Sequence, residues 1–176
     1  MSAASMPATE KVWRPMTVAD LPAVMGIAGI VHPGYPEDEA VFAERLRLCP
    51  RGCLVAESGG ALVAYAVSHP WHARRPPKLN SLLGALPPAP QTLYIHDIAL
   101  LPSARGAGLG RAIVAQLADV ARGDGLPSLS LVAVNGSAPF WRRQGFVIEN
   151  APALQESLRS YDGDAAFMVR RLEATG

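Results

Sequence analysis

The sequence has little charge of either sign and almost no imbalance between the two. Among 176 residues, 16 are Lys or Arg and 15 are Asp or Glu, which leaves a formal net charge of +1 at pH 7. Proteins that bind nucleic acid through its backbone carry a basic surface, and acidic tails carry the opposite imbalance. We therefore expect neither a nucleic-acid partner nor an acidic interaction tail.

Cysteine is also scarce. The two cysteines, Cys49 and Cys53, have C-x3-C spacing and no second Cys or His pair nearby. A zinc site needs about four such ligands, so we expect no metal. The spacing permits a disulfide, but two reduced thiols are the favoured interpretation.

Long apolar runs are missing as well. No run approaches the ~18 residues of a membrane span, so we expect no membrane partner. Residues 1–10 lack the basic and apolar regions of a signal peptide. We expect a cytoplasmic protein with a flexible N-terminal tail over residues 1–10. At 49% apolar residues, the chain suits a single domain over residues 1–176.

What the sequence does have is an apolar segment, a glycine-rich loop and a helical pattern in succession. Residues 93–101 are typical of a buried strand, and Pro102 ends it. Residues 105–110 read Arg-Gly-Ala-Gly-Leu-Gly, and residues 111–121 have helical spacing. Such an arrangement directs the free N–H groups and the positive end of a helix at an anion. We predict that residues 105–111 bind a phosphate or pyrophosphate.

The glycine spacing alone leaves alternatives. A P-loop would continue with Lys and Ser or Thr, whereas Gly110 is followed by Arg111 and Ala112. A dinucleotide fingerprint has G-x-G-x-x-G, and this loop has G-x-G-x-G. A Rossmann-like nucleotide-binding enzyme therefore remains a rival interpretation, and so does a tight turn without a ligand.

A wider pattern resembles a known family. Arg-x-x-Gly-x-Gly, formed by Arg105, Gly108 and Gly110 after a strand that ends Leu-x-Pro, resembles the acetyl-CoA loop of the GNAT acyltransferase superfamily. The resemblance continues through residues 129–146 and covers most of the chain. It implies an α+β fold with three layers, α/β/α, around a mixed, mostly antiparallel sheet. In that fold two parallel central strands, here those at residues 93 and 129, splay apart and admit the pantetheine chain.

The hydrophobic pattern along the chain agrees with this order of elements. Residues 69–91 are rich in proline and form the one long connection, which either covers the substrate side of a cleft or is a stiff surface loop. Residues 149–160 are polar and irregular. The predicted elements are a strand at 12–16, helices at 21–31 and 37–48, a hairpin of 53–57 and 61–68, strands at 93–101 and 129–134, a helix at 111–121, a short helix after 137, and strands at 146 and 167–172.

The resemblance implies acetyl-CoA as a co-substrate and a set of residues that bind it. A bulge in the residue 93 strand would leave backbone groups free for the ligand. Asn135 matches a family residue that bonds the pantetheine arm, although an Asx turn would explain it equally. The predicted cofactor-binding residues are Ile98, Ala99 and Leu100 at the bulge, Arg105, Gly106, Ala107, Gly108, Leu109, Gly110 and Arg111 in the loop, and Asn135 and Phe140.

Transfer to an amine requires a group that takes a proton from it. Asp97 matches a frequent acidic residue of the family, and we predict it as base or amine anchor. Its alternative is a carboxylate that only bonds a loop. His96 is a second catalytic candidate. Its alternative is a histidine with only a structural role. Because adjacent strand residues point to opposite faces, only one of them should face the substrate unless a bulge intervenes.

The usual general acid of the family is missing. Many members have Phe-Tyr-x-x-x-Gly-Phe, and here the tyrosine position is Trp141, whose indole does not titrate. A thiolate can leave unaided, since its conjugate acid has a pKa near 8.5. Tyr161 is the preferred substitute, ahead of Tyr94 and Tyr65, and each of the three could instead be a packing residue.

We therefore predict an N-acetyltransferase that moves the acetyl group of acetyl-CoA to a primary amine by direct attack in a ternary complex. The acceptor is a small molecule or a peptide, and a homodimer is left open. The alternative is a non-catalytic module that binds or senses acyl-CoA, which the missing tyrosine favours.

Overall fold

The computed structural model describes residues 12–161 and 163–174. Within these ranges the chain forms seven strands and five α-helices. The elements are β1 (Trp13–Pro15), α1 (Leu21–Val31), α2 (Glu39–Leu48), β2 (Cys53–Ser58), β3 (Ala61–Trp71), β4 (Thr92–Leu100), α3 (Leu109–Gly123), β5 (Ser128–Ala133), α4 (Ala138–Arg143), β6 (Val147–Ile148), α5 (Pro152–Leu158) and β7 (Ala166–Arg171).

All seven strands join one sheet in the order β1-β2-β3-β4-β5-β7-β6. Every neighbouring pair is antiparallel except β4 and β5, which are parallel. Their pairing runs from Leu93 opposite Leu129 to Ile95 opposite Leu131 and then stops, although β4 continues to Leu100. The two strands therefore separate, as the resemblance to the GNAT superfamily implied.

Helices cover both faces of the sheet because alternate strand residues supply apolar side chains to each. On one face the apolar stripe of α3 and Trp141 of α4 pack against Leu93, Ile95 and Leu131. On the other face α1 and α2 pack against Val55, Tyr65, Val67 and Ala99. Leu154 of α5 packs on β7 beside Phe167 and Val169. The predicted α+β fold with three layers is confirmed.

Two segments differ from the sequence-based expectations. β3 continues through His69 and Pro70 to Trp71, which pairs with Thr92, so the long connection is residues 72–91 rather than 69–91. Residues 149–160 contain α5, where Pro152 occupies the first helical position and needs no intrahelical N–H partner. Residues 1–11, with the predicted flexible tail, lie outside the described residues.

Both cysteines are free thiols, as predicted, and both are buried. Burial raises the pKa of the Cys53 thiol to about 12. In the described part of the chain, no helix is long and apolar enough to cross a bilayer.

Gly52 lies in a tight corner before β2, and this position predicts a stability effect. A Cβ there would lie 2.3 Å from the Ser68 carbonyl oxygen, which is fixed in β3. We expect Gly52→Ala to lower the free energy of unfolding by about 1–3 kcal/mol, measured by urea denaturation. The matched control is Gly26→Ala in α1, where no atom lies within 4 Å and where helix propensity favours alanine. Equal effects of the two substitutions would contradict the steric argument.

Candidate active site

A cavity of about 700 Å³ opens where β4 and β5 separate. Its walls are β4, the loop and first turn of α3, the end of β5 with α4, and the segment that follows α1. Every predicted site residue lines it except Ala99 and Ala107. The predicted residues on its walls are His96, Asp97, Ile98, Leu100, Arg105, Gly106, Gly108, Leu109, Gly110, Arg111, Asn135, Phe140 and Tyr161.

The glycine loop aims the start of α3 at this cavity. Gly106 and Gly108 have φ angles of +83° and +81°, a region that side chains rarely enter. The chain reverses there, and α3 begins at Leu109 with Gly108 as its N-cap. The first-turn N–H groups of an α-helix have no partners within the helix. The loop therefore has the local geometry of an anion site.

Aromatic packing fixes the opposite wall. A Cβ on Gly110 would lie 3.1 Å from the Phe140 ring, so a side chain there would require the ring to shift by a few tenths of an ångström. The Trp141 ring lies between Phe140 at 4.9 Å and Phe146 at 5.2 Å, centroid to centroid. Trp141 is thus largely a packing residue at the position where the family often has tyrosine.

β4 contains a bulge, but not at the expected position. Asp97 is opposite Val67 and Ile95 is opposite Ser68, which leaves His96 as the extra residue. Ile98, Ala99 and Leu100, where we expected the bulge, pair regularly with β3. Ala99 is buried against α1 and α2. The cofactor-binding roles of these three residues stay predictions.

The bulge places His96 and Asp97 on the same face of the sheet. Regular alternation after Ile95 would have turned Asp97 toward α3. Instead both side chains point to the α1–α2 side and both line the cavity. The structure therefore brings His96 and Asp97 together in the cavity. Regular strand alternation would have placed only one of them there.

Asp97 is held by two partners. The Tyr65 hydroxyl donates to Oδ2, and Nε2 of His32 lies 2.8 Å from Oδ1. At this distance the two side chains form a close histidine–carboxylate pair. Burial favours the neutral carboxyl, but the contact with His32 and then the Tyr65 hydroxyl outweigh it and lower the pKa of Asp97.

Sequence reasoning missed His32, which follows α1 and lines the cavity. Nδ1 of its ring lies 2.9 Å from the amide nitrogen of Asn135, across the cleft. Burial lowers the pKa of His32, but the hydrogen-bonding and charge effects of Asp97 and then the backbone of Ile98 outweigh burial and raise it. In the sequence His32 is only the residue before a Pro-Gly turn, and no spacing connects it to Asp97.

A second histidine–carboxylate pair lies beside the first. Nε2 of His96 is 2.8 Å from Oε1 of Glu37, and the other Glu37 oxygen accepts the Asn80 N–H at 2.9 Å. The His96 ring packs edge-on against Phe42. In the sequence Glu37 is only the first residue of the helix predicted at 37–48, and its place in the cavity was also missed.

Tyr161 completes this end of the cavity. Its ring packs 6.2 Å from the ring of Tyr35, centroid to centroid, and its hydroxyl accepts from Tyr94. Burial raises the pKa of Tyr161 to about 12, so the phenol is protonated at neutral pH. A protonated phenol can donate a proton to a departing group.

The connection of residues 72–91 is hydrogen-bonded to α2 and reaches the edge of the cavity. The Glu44 carboxylate accepts the N–H groups of Leu83 and Gly84, and Leu79 lines the cavity. The side-chain oxygen Oδ1 of Asn80 accepts a hydrogen bond from the backbone N–H of Asp38 at 2.8 Å. Of the two interpretations of this loop, these contacts support a cover for the cleft.

Comparison with known proteins decides the family. The model of the acetyltransferase (GNAT) family matches residues 19–146. The chain belongs to the GNAT family. This membership removes the Rossmann-like alternative, and it agrees with the separated β4 and β5 strands.

Individual relatives of this GNAT protein are distant. Glucosamine 6-phosphate N-acetyltransferase of Trypanosoma brucei brucei is 38% identical over 53 residues, which are 30% of this chain and 36% of that relative. The chain thus matches about a third of the length of this curated relative.

Solved structures share the fold over most of the chain. The ribosomal-protein-S18-alanine N-acetyltransferase of Escherichia coli is 20% identical, covers 95% of this chain and 97% of its own, and has a TM-score of 0.63. N-acetylglutamate synthase of Neisseria gonorrhoeae, complexed with coenzyme A and N-acetyl-glutamate, is 18% identical with a TM-score of 0.68. The match covers 94% of this chain and 36% of the synthase.

The fastening of the loop predicts a local effect of Asn80, whose φ is +54°. Asn80→Gly removes the side-chain bonds and keeps that φ accessible, whereas Asn80→Ala also adds about 1 kcal/mol of strain. We expect native-state cleavage by trypsin after Arg74 and Lys78 to accelerate in the order wild type, Asn80→Gly, Asn80→Ala. Equal cleavage rates in the three proteins would show that these contacts do not hold the loop.

Proposed function

We propose that this protein transfers the acetyl group of acetyl-CoA to a primary amine of a small molecule or peptide. The observation that carries the proposal is a single cleft with two chemically different ends. One end has the free N–H groups of a helix start, and the other has two histidine–carboxylate pairs. Membership of the GNAT family and the N-acetyltransferase relatives support the same reaction.

The residues at the first end fit a pyrophosphate and its pantetheine arm. The loop with Gly106 and Gly108 brings backbone N–H groups to the surface of the cleft, and Arg105 and Arg111 add positive charge beside them. Anions bind well at such helix starts. The gap beyond Ile95 leaves β4 backbone groups on the β5 side without a strand partner. These groups and Asn135 would hold the amides of the arm.

At the other end the acceptor amine attacks the thioester carbonyl carbon. A C–N bond forms, the C–S bond breaks, and the amine loses one proton while the thiolate gains one. Asp97 anchors the amine through its charge, and Tyr161, which lines the cavity, protonates the thiolate. Backbone N–H groups of β4 can stabilise the carbonyl oxygen as its negative charge develops.

The first prediction of this proposal concerns cofactor binding. Gly108→Ala forces a side chain into a φ of +81° and shifts the first-turn N–H groups of α3. Loss of even one charged hydrogen bond should raise the Kd for coenzyme A about tenfold or more, measured by calorimetry. The matched control is Gly60→Ala in the β2–β3 hairpin, which has the same φ and should be similarly strained but bind normally. Unchanged affinity of Gly108→Ala would place the pyrophosphate elsewhere.

The second prediction concerns turnover. We expect wild type to release free thiol from acetyl-CoA with at least one member of a panel of amino sugars, amino acids, arylalkylamines and peptides with free N-termini. Asp97→Ala should lose activity by roughly two orders of magnitude, because the amine loses its anchor. Tight coenzyme A binding with no thiol release across the panel would instead favour the non-catalytic acyl-CoA-binding module. Full activity of Asp97→Ala at every pH would remove Asp97 from the mechanism.

A further inference from the structure

We propose that His32 is the general base that deprotonates the acceptor amine, with Asp97 as the residue that orients it. The inference rests on the proposed transfer reaction and adds a catalytic residue to it. It is carried by the position of His32 at the meeting point of α1, β4 and the end of β5. No other histidine of the described chain contacts both sides of the cleft.

The two ring nitrogens of His32 have different neighbours. Nε2 faces the Asp97 carboxylate at 2.8 Å, and Nδ1 faces the Asn135 side chain at 2.9 Å. When the ring proton is on Nε2, beside the carboxylate, Nδ1 presents a lone pair to the cleft. The side-chain N–H of Asn135 then donates a hydrogen bond to this lone pair. An amine N–H approaching from the cleft would make the same contact.

Asp97 is less suited to take the proton itself. One of its oxygens accepts from Tyr65 and the other faces His32, and its side chain is 14% exposed. His96 is less suited as well, because its side chain is 2% exposed and Nε2 is directed at Glu37. His32 is 16% exposed, and its partner on the cleft side is the exposed side chain of Asn135. His32 therefore has a ring nitrogen directed at an exposed partner, whereas the contacts of Asp97 and His96 are with less exposed side chains.

The groups that act on the charge of His32 come from two elements, β4 and the segment before α2. Asp97 on β4 is in contact, Glu37 acts from the segment before α2, and the backbone of Ile98 adds to their effect. His96 and Tyr65 reach His32 through Asp97. Burial lowers the pKa of His32, but Asp97, the backbone of Ile98 and Glu37 outweigh it and raise the pKa above the ordinary histidine value, as expected for a base paired with a carboxylate.

The amine nitrogen forms the C–N bond and gives its proton to Nδ1 of His32, while Asp97 stabilises the imidazolium through Nε2. The C–S bond breaks, and the thiolate takes a proton from Tyr161 or water. Asn135 must leave Nδ1 for the amine to reach it, and its proposed bond to the pantetheine arm supplies an alternative partner. Cofactor binding would thus expose the base.

The test compares pH profiles of kcat/KM for wild type, His32→Gln and Asp97→Asn with the best acceptor of the amine panel. Wild type should lose activity as pH falls through the pKa of His32. The His32→Gln profile should lack that acid limb. Its kcat should fall about 100-fold, and its KM for acetyl-CoA should change little. Asp97→Asn should keep the limb but move it to lower pH, because removal of the carboxylate charge lowers the pKa of His32.

The matched control is His72→Gln, which changes a histidine outside the cavity and should leave the profile unchanged. The Asp97→Asn profile also keeps the test decisive if His32→Gln fails to fold. An acid limb that persists in His32→Gln, or that disappears in Asp97→Asn, would overturn the assignment and make Asp97 the base. Absence of wild-type turnover despite coenzyme A binding would overturn the transfer reaction itself, and His32 with it.

Discussion

One additional residue in β4 determines the chemistry of the cleft. A strand alternates its side chains between two faces, so a single insertion reverses the orientation of every residue on one side of it. The insertion at His96 turns Asp97 toward α1 and α2, where Tyr65 and His32 contact it. Without it, Asp97 would point into the apolar layer under α3, where a carboxylate has no partners. The bulge thus creates a polar site within an otherwise apolar sheet.

The same strand separates the charges of the cleft. Arg105, Arg111 and Arg143 line the end next to α3 and α4. Histidines, carboxylates and tyrosines line the end next to α1, and no Lys or Arg is among the described residues of that wall. This polarity suits a polyanionic cofactor at one end and a cationic amine at the other. Because both sets of residues lie on the walls of one cavity, binding at either end affects the field at the other.

The parts of the site that were predictable are those encoded locally. Glycines at positive φ, followed directly by a helix, gave the loop and its likeness to an acetyl-CoA site. The parts that were missed depend on tertiary contacts. His32 and Asp97 are 65 residues apart and meet only because α1 packs across β3 and β4. The position of the bulge depends on the register with β3, and Glu37 enters the cavity through its contact with His96. α5 was missed because its short apolar face is defined only by β7.

The brief pairing of β4 with β5 has a mechanical consequence. Three backbone residue pairs, from Leu93–Leu129 to Ile95–Leu131, and the hydroxyl hydrogen bonds of Thr92 with Ser128 and Ser130 join the half of the sheet made of β1 to β4 to the half made of β5, β7 and β6. The apolar side of α3 packs against both halves and so bridges the gap between β4 and β5. A small rotation of one half against the other widens the gap without breaking hydrogen bonds inside either half.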